Sequence, residues 1–390
     1  MQLIPINTPA QSADFIKVAV ELYKNDPNWI RPLDKDIHDV FDKNKNKTFR
    51  FGEIERWLLK DESGKLIGRI ATFINKKYKN KGDEVPAGGF GFFECIDNQD
   101  AANLLLDTAK NWLTSKGMEC MDGPINFGER DRWWGLVTQG FFEPLYCMNY
   151  NPPYYVKLLE HYGFQAFYHQ ICFGMIPQAP IIAKVWERHA LIEKMGGFTS
   201  SMIQKNKLEK YAKDFSIVYN KAWAGHGGLK QIELKQVLLM FKKMKPVMDE
   251  KIIWFAYYKE EPVAMFINLP DLNQWFKHLK GKFGLLQKLK FLWLKRFQPN
   301  DKFVGLVFGV VPEWQGKGVD SYIIAEAAKV IQRKKKPYYE KYEMQWIGDF
   351  NPKMLNIADN IGETHRSRVL STYRFLFDPN REFKRHPILI

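Results

Sequence analysis

The stretch with the plainest chemistry is Gln315-Gly316-Lys317-Gly318-Val319-Asp320. Glycines let a backbone approach an anion closely, and Lys317 brings a point charge. Ahead of it, Phe303 to Val311 is an apolar, β-rich run stopped by Pro312. Behind it, an Ala-rich pattern of helical period begins near Val319. Strand, glycine turn and helix start together form an anion site. The first N–H groups of a helix have no partner inside it, and the helix dipole favours negative charge there. The ligand this order suits is a phosphate. Asp320 runs against it unless the carboxylate turns away or caps the helix.

The elements that must position this turn follow from periodicity. In the second half, Lys207 to Trp223 and Glu233 to Met244 read as helices, and Ile252 to Tyr258 with Pro262 to Leu269 as a hairpin turning at Lys259-Glu260-Glu261. Lys341 to Ile347 is the strand after the Ala-rich helix, whose basic end is Arg333 to Lys336. A last helix starts near Asn351, and Val369 to Phe377 is the closing strand. The first half repeats this order: a strand at 3–6, a helix over Ser12 to Tyr23, strands at Glu53–Lys60, Leu66–Asn75 and 88–97, and a helix from Asn98 to Lys116 with Asp100 as its N-cap. Between Phe167–Met175 and the second set lies a Pro-broken linker, then a strand-like segment before Gly196-Gly197.

With 390 residues, two domains are expected. Apolar content of 45% and aromatic content of 15% exclude a disordered chain. No run reaches the ~18 apolar residues of a membrane span, and no secretory signal pattern opens the chain, so a cytoplasmic location is expected. Cys95, Cys120, Cys147 and Cys172 contain no CxxC pair, so free thiols and no metal are expected. The net charge of +14 suits an anionic partner: CoA, an acidic substrate, nucleic acid or an anionic membrane surface, with nucleic acid ranked low.

Two irregular stretches stand apart. Asp122 to Phe164 is dense in Gly, Pro, Asn and aromatics. There Arg130, Asp131, Arg132, Trp133 and Trp134 could wall a substrate, and Asn149, Tyr150, Asn151, Tyr154 and Tyr155 offer polar and stacking contacts. The insertion Pro270 to Asp301 interleaves lysines with aromatic and apolar residues. It reads as a lid beside the cleft, with peripheral membrane contact through 275–297 or nucleic-acid backbone binding as alternatives.

V-x-P-x-W-Q-G-K-G-V resembles motif A of the GNAT N-acetyltransferases, whose Q/R-x-x-G-x-G/A wraps the pyrophosphate of acetyl-CoA. Gln315 and Gly318 match its first two fixed positions; Asp320 departs at the third. Asn351-x6-Ala358-x3-Gly362 resembles motif B, but the tyrosine many members carry there as general acid has no counterpart. KLIGRIATFINKKY resembles the third strand of that fold, and GPINF, QGFFEP, NYNPPYY and HYGF resemble uncharacterised bacterial tandem-GNAT-like proteins of about this length. The resemblance implies an α/β fold (an α+β mixed sheet) with two tandem GNAT-like acyl-CoA N-acyltransferase domains: 1–180 without the CoA loop and 181–390 with it.

It further implies acetyl-CoA or another acyl-CoA as co-substrate, bound by Val310, Val311, Gln315, Gly316, Lys317, Gly318, Val319, Asp320 and Asn351. The acyl group passes by direct attack to the amine of a small or amino-acid-like acceptor, with the N–H of Val310 or Val311 polarising the thioester. Glu343 is the candidate base and Tyr373 the candidate acid. No serine or cysteine nucleophile is needed. A Fem-like aminoacyl transferase, which also uses tandem GNAT-like domains, and a non-catalytic CoA-binding or membrane-associated protein are the alternatives.

Overall fold

The computed structural model describes residues 1–223, 231–332 and 339–389. The first half runs β1 (Gln2–Pro5), α1 (Pro9–Leu22), α2 (Asp34–Phe41), β2 (Gly52–Lys60), β3 (Leu66–Asn75), β4 (Ala87–Cys95), α3 (Gln99–Ser115), β5 (Cys120–Gly123), β6 (Leu136–Gln139), α4 (Tyr154–Tyr162) and β7 (Gln165–Met175). The second runs α5 (Ala183–Met195), β8 (Phe198–Met202), α6 (Leu208–Trp223), α7 (Leu234–Met244), β9 (Ile253–Tyr258), β10 (Glu261–Pro270), α8 (Asn273–Phe276), α9 (Leu285–Phe297), β11 (Lys302–Val310), α10 (Val319–Ile331), β12 (Lys341–Gly348), α11 (Pro352–Asp359) and β13 (Thr364–Leu376).

Local chemistry explains most of these elements. Thr8 and Gln11 close a capping box on α1. The β2–β3 hairpin turns where the Asp61 carboxylate accepts from the Ser63 and Lys65 amides and Gly64 takes a left-handed φ of 82°. On α3 the stripe Ala101, Ala102, Leu105, Leu106, Ala109 and Leu113 is wholly buried. Its cap is Asn98, whose Oδ1 accepts from the Ala101 amide at 2.8 Å, and not Asp100, which lies inside the first turn. The strand-like segment after the linker is the helix α5: Val185, His189 and Ile192 are buried at i, i+4 and i+7 and pack on α10. Two elements, β6 and α4, lie inside the irregular Asp122–Phe164 stretch. Arg333 to Lys336 lie outside the described residues.

All the strands form one mixed sheet ordered β1-β2-β3-β4-β5-β13-β7-β12-β11-β10-β9-β8, with β6 also paired to β13. Each half contributes an antiparallel meander ending in one parallel pair, β4 with β5 and β11 with β12. The long last strands are exchanged. β13, from the end of the chain, lies against β5, while β7 lies against β12. β13 and β7 then pair along most of their length, Thr364 opposite Met175 to Arg374 opposite Gln165. Closing the sheet thus requires the C-terminus to return to the first half, where Tyr373 joins the core of β3, β4 and α3. The second half has its own core around Phe255, Met265, Val319 and Ile323.

Candidate acyl-CoA and amine sites

Each parallel pair is short and then splays. β11 meets β12 only from Lys302–Gly305 to Lys341–Met344. Beyond Gly305, β11 stays paired to β10 alone. At its end the Val311 amide donates to the Val263 carbonyl at 2.9 Å. N–H groups alternate between strand edges, so the Val310 amide faces the opposite edge, where β12 has already parted from it. Of the two expected thioester contacts, Val311 is therefore spent on the sheet and Val310 is directed to the splay.

A short 3-10 turn (Pro312–Trp314) leads into the glycine loop. The Gln315 side chain donates back to the Val310 carbonyl at 3.0 Å, tying loop to strand end. Gly316 and Gly318 take φ of 73° and 91°, which side chains rarely adopt. No side chain caps α10, so the amides of its first turn remain available to an anion. The Lys317 ammonium lies 5.2 Å from the Trp314 ring centroid. Arg188 of α5 packs beside Gly318. Half-buried Asp320 makes no ion pair or side-chain hydrogen bond among the described residues. Buried Val319 anchors the helix start in the core. Asn351 caps α11, its Oδ1 accepting from the Met354 amide at 3.2 Å. That role alone accounts for an asparagine there.

Behind α10 an apolar cavity encloses about 630 Å³ of empty space, part of it open to solvent. Phe308, Ile324, Ala328, Met344, Met354 and Ile361 are among its walls. None of α9 lines it, so the insertion is not a lid over this cavity.

Glu343 and Tyr373 are placed far from proton-transfer roles at this loop. Glu343 is buried at the closed foot of the β11–β12 pair. Its Oε1 accepts from Arg368 Nε at 2.7 Å and from the Ser367 hydroxyl at 3.0 Å; its Oε2 accepts from Lys302 Nζ at 2.6 Å. Burial pushes its pKa up, but the Arg368 and Lys302 charges outweigh that and hold it below the usual carboxylate range. A carboxylate so satisfied is a structural anion and a poor base. The Tyr373 hydroxyl donates to Glu160 at 3.1 Å, inside the first half.

The first half holds a second cavity, about 710 Å³ of empty space with part of it open to solvent, beside the β4–β5 splay. Phe92 sits there at φ 47°, Trp133 at φ 42°, and both line the cavity, as do Asn149, Tyr150, Asn151 and Tyr155 of the irregular stretch. Its acid was missed in the sequence. Glu94, 8% exposed, lines it; Oε2 accepts from the Tyr23 hydroxyl at 2.5 Å and the Tyr155 hydroxyl at 2.9 Å, and Oε1 from Arg69 Nη2 at 3.2 Å. Burial raises the Glu94 pKa in spite of Arg69 and the two phenols. The signal available was a lone acid in the apolar strand GGFGFFEC. This half lacks an anion loop: the Asn98 side chain occupies the start of α3. Four strands, β5, β13, β7 and β12, separate the two splays.

The four thiols are free and buried, and burial pushes Cys95, Cys120 and Cys147 up to about 12 and Cys172 higher still, which favours the neutral thiol over the thiolate. His189, Glu193 and Glu326 form a three-residue group with metal-ligand spacing. The Lys329 ammonium sits 2.6 Å from Glu326 and 3.7 Å from Glu193, supplying the charge a cation would.

No family model matches this chain. It is 24% identical over 379 residues to the bacterial ceramide synthase of Caulobacter vibrioides, covering 96% of each. It is 23% identical over 357 residues to protein YghO of Escherichia coli K12, covering 89% of this chain and 88% of that protein. Among solved structures, a tandem GNAT protein from the clavulanic acid biosynthesis pathway superposes with a TM-score of 0.53 at 9% identity, over 97% of this chain and 99% of that one. A glucosamine N-acetyltransferase region in a fungal multi-domain β-N-acetylglucosaminidase superposes with a TM-score of 0.54 at 12% identity; the match covers 96% of this chain and only 38% of that far longer one. The mixed sheet thus belongs to a known architecture: the chain has the fold of a tandem GNAT protein.

Proposed function

We propose that this protein is an N-acyltransferase that takes a long-chain acyl group from acyl-CoA and places it on the amine of a lipid-like acceptor. The observation that carries the reading is the apolar cavity directly behind the helix that starts at the glycine loop. An acetyl group has no use for such a space, whereas each methylene buried there contributes about 0.8 kcal/mol. In this reading 181–390 binds the donor and 1–180 serves the acceptor, except that the exchanged last strands cross that division: β13 closes the acceptor half and β7 the donor half. The ceramide synthase among the relatives supports a long-chain amine, as a sphingoid base is, over an amino-acid-like one.

In the donor half, the loop Gln315–Gly318 and the first turn of Val319 and Asp320 hold the phosphates, with Lys317 and Arg188 adding charge. Asn351 flanks the pantetheine, and the acyl chain lies in the cavity. The amine nitrogen attacks the thioester carbonyl carbon, and the Val310 N–H stabilises the developing oxyanion. The carbon–sulfur bond then breaks, the CoA thiolate leaves and takes a proton, and the amine proton passes to a base.

Calorimetric titration of the full chain with acetyl-, octanoyl-, dodecanoyl- and hexadecanoyl-CoA tests this. Affinity should rise by up to roughly fourfold per buried methylene until the cavity is full. Ala328→Phe, filling the cavity from α10, should weaken hexadecanoyl-CoA by about 50-fold and acetyl-CoA by about twofold or less. Equal affinity for all chain lengths would sink the long-chain reading.

A second reading is favoured by Glu94: its carboxylate and the Tyr155 hydroxyl form an acid–base pair, whereas the described residues at the glycine loop offer none. Here both the amine and the acyl thioester bind in the first-half cavity, apart from the glycine loop, with Glu94 taking the amine proton and Tyr155 returning one to the thiolate. Glu94→Gln should then lower kcat by about 100-fold with acyl-CoA affinity at the glycine loop unchanged. Full activity in that variant would leave the second half as the only reaction centre.

A further inference from the structure

Helix α9 presents an outward apolar face that no described residue covers. Leu285, Leu286, Leu289, Leu292, Trp293 and Phe297 are each between 57% and 76% exposed. At 100° per residue they fall within about 140° of the helix circumference. Phe291 and Leu294 occupy the other side and seat the helix on Leu33, Trp275, Phe276 and Leu279. The helix is therefore held in place by one face while a second apolar face points away from the protein.

The charges along this segment of the chain are of one sign. Seven basic residues and no acidic one lie between Asp271 and Asp301. Among the described residues only one of the seven, Lys277, has an acidic partner, Glu143. Lys288 and Lys290 fall on either flank of the apolar arc, and Arg296 lies at its C-terminal end. A second soluble protein copy would bring the same positive charge to this face and be repelled; an anionic lipid surface matches both the apolar stripe and its basic flanks. At 13 residues α9 is about 20 Å long, too short to span a bilayer and suited to lying in its surface. No described helix is long and apolar enough to cross a membrane.

We propose that α9 docks the protein on an anionic membrane surface, with Leu286, Leu289, Trp293 and Phe297 entering the headgroup region and Lys288, Lys290 and Arg296 facing lipid phosphates. The helix is seated on Leu33, and the adjacent Arg31 and Pro32 line the first-half cavity. This docking brings that cavity to the lipid surface, although the docking itself rests on α9 alone and not on the acyltransferase reading.

The test is co-sedimentation of the full-length protein with vesicles of phosphatidylcholine alone and with vesicles containing about a third phosphatidylglycerol. Anionic vesicles should bind at least tenfold more tightly, with an advantage that falls with salt. Leu289→Ser/Trp293→Ser and Lys288→Glu/Lys290→Glu should each weaken binding tenfold or more, with unchanged circular dichroism and unchanged acyl-CoA affinity in solution. The substituted side chains are exposed, so the fold should persist. Equal binding to neutral vesicles, no binding, or variants that bind like the parent would overturn the proposal. So would a lipid-free dimer that Trp293→Ser dissociates, since the face would then belong to a second copy.

Discussion

Gly318→Glu should weaken acyl-CoA binding by roughly 150- to 1,000-fold, or about 3–4 kcal/mol, as read by calorimetry with dodecanoyl-CoA. Three effects add. Gly318 holds φ of 91°, where a residue with a Cβ loses about 1–2 kcal/mol, so the loop must refold to accept it. Any Cβ there stands 3.4 Å from the Cβ of Arg188, so a longer side chain is steered along α5 or toward the ligand. A carboxylate at that point would also compete with the proposed phosphates for the Arg188 and Lys317 charges and for the positive N-terminal end of the α10 dipole. Gly318→Ala separates the parts. It carries the backbone cost without the charge and should lose only about tenfold. Undiminished binding by Gly318→Glu would place the acyl-CoA site elsewhere.

Glu343→Gln should destabilise the protein by about 3–5 kcal/mol in urea unfolding, because it leaves two buried cations without their counter-charge. Arg368 is 1% exposed, and its Nη1 has no hydrogen-bond partner. Arg368 lies on β13 and Glu343 on β12, with β7 between them. The ion pair therefore reaches across a strand of the other half and clamps the exchange. Arg368 Nη2 also donates to the Glu143 carbonyl at 3.0 Å, adding the irregular stretch to the clamp. Combining Glu343→Gln with Lys302→Met removes one stranded cation and should recover part of the loss. A purely catalytic Glu343 would give the opposite pattern, with activity lost and stability kept.

The pH dependence has a definite sign. The folded pKa of Glu343 is depressed below that of the unfolded chain, near 4.3. Its contribution is present in full above that value and is lost as pH falls through the lower folded pKa. The parent should lose stability toward acid more steeply than Glu343→Gln, which no longer has that carboxylate to protonate.

Much of the second half could be read directly from the chain. The strand, glycine turn and helix start of 303–331 depend on neighbours a few residues apart, and Gly316 and Gly318 take the left-handed conformations that a tight turn before a helix demands. The two hairpins and the repeated order of elements were legible for the same reason: period and turn chemistry act over short distances. Asp100 as the cap lies two residues too late, where several polar residues compete, and the 13 residues of α5 read as strand-like, where a short apolar period is ambiguous.

Partners distant in sequence were decided by the tertiary structure. Glu343 looks like any strand carboxylate until β13 returns Arg368 to it. Tyr373 is drawn into the first half by the same exchange. Glu94 gains its meaning from Tyr23 and Tyr155, 71 and 61 residues away. Val310 and Val311 are told apart only by which edge of β11 has a neighbour. The exposed face of α9 was present as an alternation of lysines and apolar residues, but which side docks depended on Leu33 and Trp275 being there to receive it. The chain by itself determined the elements and the glycine turn, because those are set by residues close along it. Which strands meet, which charges are buried together and which apolar surface stays exposed were settled by packing, because each depends on groups that only the folded sheet brings together.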